Sequence, residues 1–337
     1  MISTNFAVCG TIVRQHLRKG RVLVKKFFSL VTAAILSLCA VTAPVFAEDA
    51  TAVQQAPTIN NRFYYDQLSA NEKTFYDRAL EAIENGIDTV YFADLGLDNV
   101  SAKRIYNALM KDSYLFNQIY MFGGVRYWDD INGNITMLNF DFNASDSASP
   151  AARMEFENRT ARIVEEANKK PTDYEKLKFI HDWIADNTEY LDDDTIDDIR
   201  TVNGPILNGI AVCAGYALAF QYLAQSLGFD CIYVTGLGNE GDAVRHGWNM
   251  VKLDGEWYNV DVTWDDGNRV KYTYFLKGEE TFTASGTEHI PDSGYTYPKA
   301  RRDYAPSKSV FSVVLTVLPV LAGVTFVVLV FRLHRNR

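Results

Sequence analysis

Cysteine is rare in this chain, with four in 337 residues, which excludes a dense disulfide framework. There is no internal repeat and no collagen-like period. With 47% apolar and 22% charged residues the composition is that of a globular protein, not a disordered one. Acidic residues are missing altogether from two places. Residues 1–47 hold six bases (Arg14, Arg18, Lys19, Arg21, Lys25 and Lys26) and no acid, and residues 309–337 hold three (Arg332, Arg335 and Arg337) and no acid. All 42 acids therefore meet only 24 bases in residues 48–308, so a whole-chain charge of −9 conceals −18 for that segment. Such acidity argues against nucleic-acid binding, which needs a basic face. It also favours a basic or neutral substrate over an anionic polymer. The segment is long enough to bury one substantial core or two small ones.

The acid-free ends read as membrane signals. Residues 27–46, FFSLVTAAILSLCAVTAPVF, form an uncharged apolar run behind Lys25 and Lys26, with Val45-Phe46-Ala47 at a cleavage point before Glu48. The pattern predicts a secretory signal peptide over 1–47. An uncleaved anchor is the alternative, because about 20 apolar residues span a bilayer. Ser309–Phe331 is a second uncharged run, interrupted by Pro319, which membrane helices tolerate. Arg332, Arg335 and Arg337 follow at once. The positive-inside rule then predicts a transmembrane helix over 309–331, a cytoplasmic tail over 332–337 and an extracellular acidic segment. No LPxTG-like motif precedes the run, so a sortase signal is excluded. The expected localisation is the cell membrane, as a single-pass protein.

Within the acidic segment, residues 48–60 are polar and read as a linker. Residues 61–150 read as a mainly helical N-terminal subdomain. Ser69 and Glu72 form a capping-box pattern, and Phe75, Ala79, Ala82 and Ile83 recur at helical spacing until Asn85-Gly86. Val100–Asp112 repeats that spacing with Ile105 and Leu109 inward. Alternation between Tyr120 and Phe142, centred on Ile131-Asn132-Gly133-Asn134-Ile135, predicts a hairpin. Residues 151–168 and 173–187 are two more helices, the second behind a capping box at Thr172 and Glu175. Residues 286–308 lack a regular pattern and read as a juxtamembrane linker.

The chemistry lies between 204 and 266. Gly209 to Tyr216 leads into a helix whose Tyr216, Phe220, Leu223 and Leu227 share one face, and Gly228 ends it. Cys213 thus stands at a helix N-terminus, where free N–H groups and the macrodipole favour a thiolate and a backbone N–H can bind an oxyanion. Taken alone, such a cysteine is more often a small buried side chain. A strand over 229–235 follows. Two more runs, 245–253 and 256–263, are joined by Asp254-Gly255, the signature of a two-residue type I′ turn. That turn pairs Leu253 with Glu256, Trp248 with Asp261 and His246 with Thr263. One face then carries Val251, Leu253, Tyr258, Val260 and Val262, the core. The other carries His246, Trp248, Asn259 and Asp261, with His246 and Asp261 diagonal neighbours. A carboxylate beside an imidazole fixes its tautomer and raises its basicity. A lone His–Asp pair is commonly structural. A helix-start cysteine followed by histidine and aspartate on one hairpin face is a thiol-triad arrangement.

At this point the sequence resembles the transglutaminase-like superfamily, and in particular its bacterial surface proteins. The resemblance rests on Cys213-Ala214-Gly215-Tyr216-Ala217, His246-Gly247-Trp248-Asn249 and the run Gly255 to Asp265, and covers roughly 172–285 of the chain. It implies an α+β, papain-like core over 151–285, with a Cys-bearing helix packed on an antiparallel sheet. It also implies Cys213 as nucleophile, His246 as general base and acid, and Asp261 as the orienting carboxylate. The expected activity is that of a thiol-dependent acyltransferase or hydrolase. It would crosslink, deamidate or cleave extracellular protein or cell-wall peptide through a thioester. A non-catalytic surface module that keeps the fold is the alternative.

The remaining features carry simpler readings. Cys231 reads as a buried strand thiol, and a Cys213–Cys231 disulfide would disable the site. His181 and His289 read as surface or internally satisfied histidines. With no second histidine or cysteine at ligand spacing, zinc is not expected. The runs Asp192-Asp193-Asp194 and Asp265-Asp266 read as solvated loops and not as calcium sites. No cofactor is expected.

Overall fold

Helical spacing and side-chain caps establish the first elements. The computed structural model describes residues 62–306 apart from 122, 143–148, 194–195, 197, 240–242, 268 and 284–287. A short helix α1 (Phe63–Asp66) leads to α2 (Ala70–Glu84), where the Ser69 N–H donates to Glu72 Oε2 at 2.7 Å in the expected capping box. Helix α3 (Asn99–Asp112) starts on Asp98, whose carboxylate accepts the Ser101 N–H, and α4 (Tyr114–Met121) follows. Phe75, Ile105 and Leu109 are buried, as their spacing predicts. Between and after these helices, β1 (Thr89–Tyr91), β2 (Val125–Asp129) and β3 (Ile135–Phe140) form an antiparallel sheet in the order β1-β3-β2. The predicted hairpin is β2–β3. The subdomain read as mainly helical therefore also carries a sheet, whose three-residue first strand is too short to show alternation.

Helices α5 (Pro150–Asn168) and α6 (Asp173–Asn187) are capped by Ser149 and Thr172. Strand β4 (Glu189–Tyr190) pairs in parallel with β5 (Ile210–Ala211), which delivers the chain to α7 (Cys213–Ser226). Helix α7 is the central element, with Tyr216, Phe220 and Leu223 fully buried, and Gly228 (φ 87°) ends it in the left-handed conformation.

The main sheet contains β6 (Cys231–Asn239), β7 (Ala243–Leu253), β8 (Glu256–Val260) and β9 (Glu288–Pro291), antiparallel in the order β8-β7-β6-β9. Leu253 pairs with Glu256, and the predicted register holds as far as Asn249 opposite Val260. There the chain leaves the sheet. Asp261 caps a four-residue helix, α8 (Val262–Asp265), by accepting the Trp264 N–H at 3.1 Å on Oδ1. The expected pairs Trp248–Asp261 and His246–Thr263 therefore do not form. An aspartate that can cap a helix overrode the strand alternation. A last helix, α9 (Glu279–Phe282), precedes β9.

Both faces of this sheet are buried. Val251, Leu253, Tyr258, Val260 and Val262 pack with Ile163, Leu177, Ile180 and Phe220 of α5, α6 and α7, which is the predicted core. The opposite face, with Ile232, Val234, Trp248 and Met250, packs against Tyr64, Phe75, Ile105 and Phe116 of the N-terminal subdomain. The Tyr64 hydroxyl also donates to the Tyr233 carbonyl oxygen.

The stretch 286–308 is not an irregular spacer. It supplies β9, the Tyr295 hydroxyl donates to the Arg104 carbonyl at 2.8 Å, and Ala300 is buried. A four-residue strand between turns leaves little periodicity to read. The signal, linker, transmembrane helix and tail expected over 1–47, 48–60, 309–331 and 332–337 lie outside the described residues. Among the described residues, no helix is long and apolar enough to cross a membrane.

Candidate active site

Cys213 is the first residue of α7 and is partly exposed. The turn before it is crowded. A Cβ on Gly215 would lie 2.8 Å from the Ala211 Cβ and 2.8 Å from the Ile199 carbonyl oxygen, so glycine is required there. His246 comes from β7 and is 7% exposed, and Asp261, at the start of α8, is 1% exposed. The strand–helix switch after Val260 turns Asp261 toward the imidazole. His246 Nε2 donates to Asp261 Oδ2 at 2.6 Å, and the Cys213 side chain lies near enough to support the charge of the ring. With Nε2 held by the carboxylate, Nδ1 is the nitrogen left for sulfur. Trp264 stacks on the imidazole, ring centroids 4.7 Å apart. The three residues selected from the sequence are thus brought together.

A fourth residue joins them. His289 on β9 is buried, and its Nε2 donates to the same Asp261 Oδ2 at 3.0 Å. Its ring stacks on Phe282 with centroids 3.9 Å apart. Asp261 therefore accepts from two imidazoles on one oxygen and from the Trp264 N–H on the other. Sequence reasoning missed His289, because it lies 28 residues beyond Asp261 on a strand of four.

Electrostatics follow from this geometry. Burial opposes a charged His246, but the Asp261 charge and hydrogen bond, with the Cys213 side chain, outweigh it and raise the imidazole to about 10. Burial alone would raise Asp261. The His246 charge and bond, and then the His289 bond, instead hold it well below the usual carboxylate range.

A second buried pair stands nearby. His181, fully buried on α6, contacts Asp182 Oδ1 through Nδ1 at 3.1 Å and Asp265 Oδ2 through Nε2 at 3.2 Å. It is an internally satisfied histidine and not a surface one. Asp265, expected in a solvated loop, is buried and also accepts the Tyr274 N–H at 3.0 Å, while Asp266 accepts the Tyr216 hydroxyl at 2.7 Å. Cys213 and Cys231 are both free thiols, and Cys231 is buried as expected.

His246, Asp261 and His289 present the three buried donors among the described residues that could hold a metal ion. The fold thus supplies a second histidine that the spacing hid. Yet ligands at 2.0–2.1 Å from a tetrahedral ion stand about 3.3 Å apart. The 2.6 and 3.0 Å contacts are shorter than that and are those of a hydrogen-bonded cluster. The group does not fit an ion as it stands.

A cavity of about 590 Å³ reaches Ala214, the residue after Cys213. Ala214, Tyr233 and Arg245 line it from the core, and Lys103 and Lys111 line it from α3.

Comparison with known proteins finds relatives of part of the chain. The chain is similar to the kyphoscoliosis peptidase of Mus musculus, 28% identical over 145 residues, which cover 36% of this chain and 21% of that protein. The Homo sapiens kyphoscoliosis peptidase is 29% identical over 145 residues with the same coverage. The chain thus spans about a fifth of the length of the curated relatives it matches. Among solved structures it is similar to the crystal structure of a TGase, with 17% identity and a TM-score of 0.35 over 58% of this chain and 60% of that one. Residues 160–262, which contain Cys213, His246 and Asp261, match the Transglutaminase-like superfamily, and the chain carries a domain of that superfamily.

Proposed function

We propose that the chain is a thiol-dependent enzyme that attacks amide carbonyls, with Cys213 as nucleophile, His246 as general base and acid, and Asp261 as orienting carboxylate. The observation that carries this reading is the buried imidazole of His246, held by Asp261 through Nε2 with the Cys213 side chain nearby. His246 Nδ1 takes the thiol proton before attack, giving an imidazolium that Asp261 stabilises, and the sulfur then bonds to the amide carbon. The C–N bond then breaks as that proton passes to the leaving nitrogen, which leaves a thioester. Water next adds to the carbonyl and gives its proton to His246. The C–S bond breaks, the acid departs and the proton returns to sulfur. An amine in place of water would give a crosslink by the same steps. The name of the curated relatives, peptidase, favours hydrolysis. His289 is a positioning residue in this scheme, since it holds Asp261 and touches no reacting atom. The substrate is an extracellular protein or cell-wall peptide, and the apolar run over 309–331 would tether the enzyme to the membrane.

Iodoacetamide labelling followed by mass spectrometry tests the assignment. At neutral pH it should modify Cys213 ahead of Cys231, and His246→Ala should slow that modification at least tenfold. Equal rates in the two proteins would remove the basis for the triad. Incubation with peptides and a labelled amine then separates cleavage from crosslinking.

A further inference from the structure

The segment 48–308 carries −18, but the described lining of the cavity that reaches Ala214 has the opposite sign: Lys103, Lys111, Arg200 and Arg245 against Asp292 alone. Most of these charges are already matched. Arg245 grips Asp292 through two bonds of 2.7 and 2.8 Å, and Arg200 reaches Asp192 at 3.3 Å. Lys111 differs. It is only 5% exposed, and its ammonium lies over the rings of Tyr64 and Tyr295, 4.7 and 5.2 Å from their centroids. Among the described residues it has no hydrogen-bond acceptor and no ion-pair partner. The neighbouring carboxylates are committed elsewhere. Asp112 accepts the Tyr65 N–H and the Tyr76 hydroxyl, and Asp292 is held by Arg245 and Thr235. Burial accordingly lowers the amine to about 8, although Asp292 pulls the other way.

A lysine that is almost wholly buried and has no acceptor for its ammonium is costly in a folded protein. Here it borders a cavity large enough for several residues of peptide, next to the residue that follows Cys213. We infer that this cleft takes an acyl donor bearing a carboxylate close to the amide under attack, and that Lys111 docks that carboxylate. The N-terminal subdomain then selects substrate directly, because Lys111 belongs to α3. The inference rests on Cys213 being the nucleophile of the same cleft. A carboxylate suits the site better than a bulkier anion, since Arg245 and Asp292 already close part of the wall. The average charge of the domain, which predicted a basic or neutral substrate, is not the charge that a substrate meets.

A protection experiment on the full chain tests this. Cys213 is alkylated with iodoacetamide in the presence of short peptide pools in which each position in turn is Glu or Gln. At one or more positions the Glu pool should protect at about tenfold lower concentration than the Gln pool. Lys111→Met should abolish that difference when protection is read against the variant's own unprotected rate, and Lys111→Arg should retain part of it. Exchanging a buried cation for an apolar side chain of similar length is tolerated in folded proteins, so Lys111→Met is expected to fold. Equal protection by Glu and Gln pools at every position would overturn the inference, as would a difference that survives Lys111→Met. The wild-type comparison decides even without the variant. If the triad assignment fails, iodoacetamide rates will not depend on His246. If only the docking inference fails, they will, but protection will not distinguish Glu from Gln.

Discussion

Two buried histidine–aspartate pairs stand at opposite ends of the four-residue helix α8. Asp261 begins it and holds His246, while Asp265 ends it and holds His181. By burial and partner type they are alike, and burial opposes the charge of both rings, which their carboxylates then raise. They differ in the second ring nitrogen. His181 has both nitrogens on carboxylates, Asp265 and Asp182, and neither faces a reacting group. His246 has Nε2 on Asp261 and keeps Nδ1 off any carboxylate, in a ring whose charge the nearby Cys213 side chain supports. A buried pair is thus no sign of catalysis by itself. What matters is whether a nitrogen is left over, and what it faces.

The comparison breaks most readily at its carboxylates. Asp261→Asn should lower kcat/KM by about 10³–10⁴-fold, because the amide no longer fixes the His246 tautomer or supports its charge. A loss under tenfold would place His246 with His181 as structural. Next in size, His181→Ala should destabilise the fold by roughly 3–5 kcal/mol by leaving Asp265 buried and unmatched. Urea denaturation reads that loss, and kcat per folded molecule should stay within a factor of two. His289→Ala should lower kcat about 10–100-fold at unchanged KM, in the range of losing a partner that orients a working ligand. His289→Gln, which keeps an N–H donor, should recover most of it. A KM effect without a kcat effect would remove His289 from the support of Asp261.

A further effect lies in pH. His246 is raised in the folded chain from 6.5 to about 10, so its contribution to stability is complete below pH 6.5 and is lost as pH rises through 10. The thermal midpoint should fall over that window, by about 2–4 °C for each kcal/mol lost. In His246→Gln the fall should flatten, whereas the limb due to His181 remains. An unchanged slope would assign the whole effect to His181.

Much of the fold and of the site was legible in the residues. Capping boxes at Ser69 and Thr172, the Asp254-Gly255 turn and the apolar stripe of α7 each act over a few residues, so a sequence displays them directly. Cys213, His246 and Asp261, which the fold brings near one another, were singled out by the same local logic. The misses have one cause in common, which is chemistry decided at long range. Asp261 left the strand because its carboxylate caps α8. His289 reached Asp261 through a pairing of β9 with β6 that no spacing shows. The pairing depends on Gly236, where a Cβ would stand 2.1 Å from the Ile290 carbonyl oxygen. Lys111 acquired its character from rings at 64 and 295, far away along the chain.

The main sheet has two cores, and this bears on how such a domain can be moved between proteins. The span shared with the superfamily, 160–262, contains the Cys-bearing helix and strands β6 to β8, but not the cover over Ile232, Val234, Trp248 and Met250. Excised alone, it would present an apolar sheet face to water and invite self-association. Any chain that borrows this catalytic half must bring its own lid for that face. Here the lid is the subdomain that also carries Lys111, so covering the sheet and lining the cavity fall to one piece of the chain.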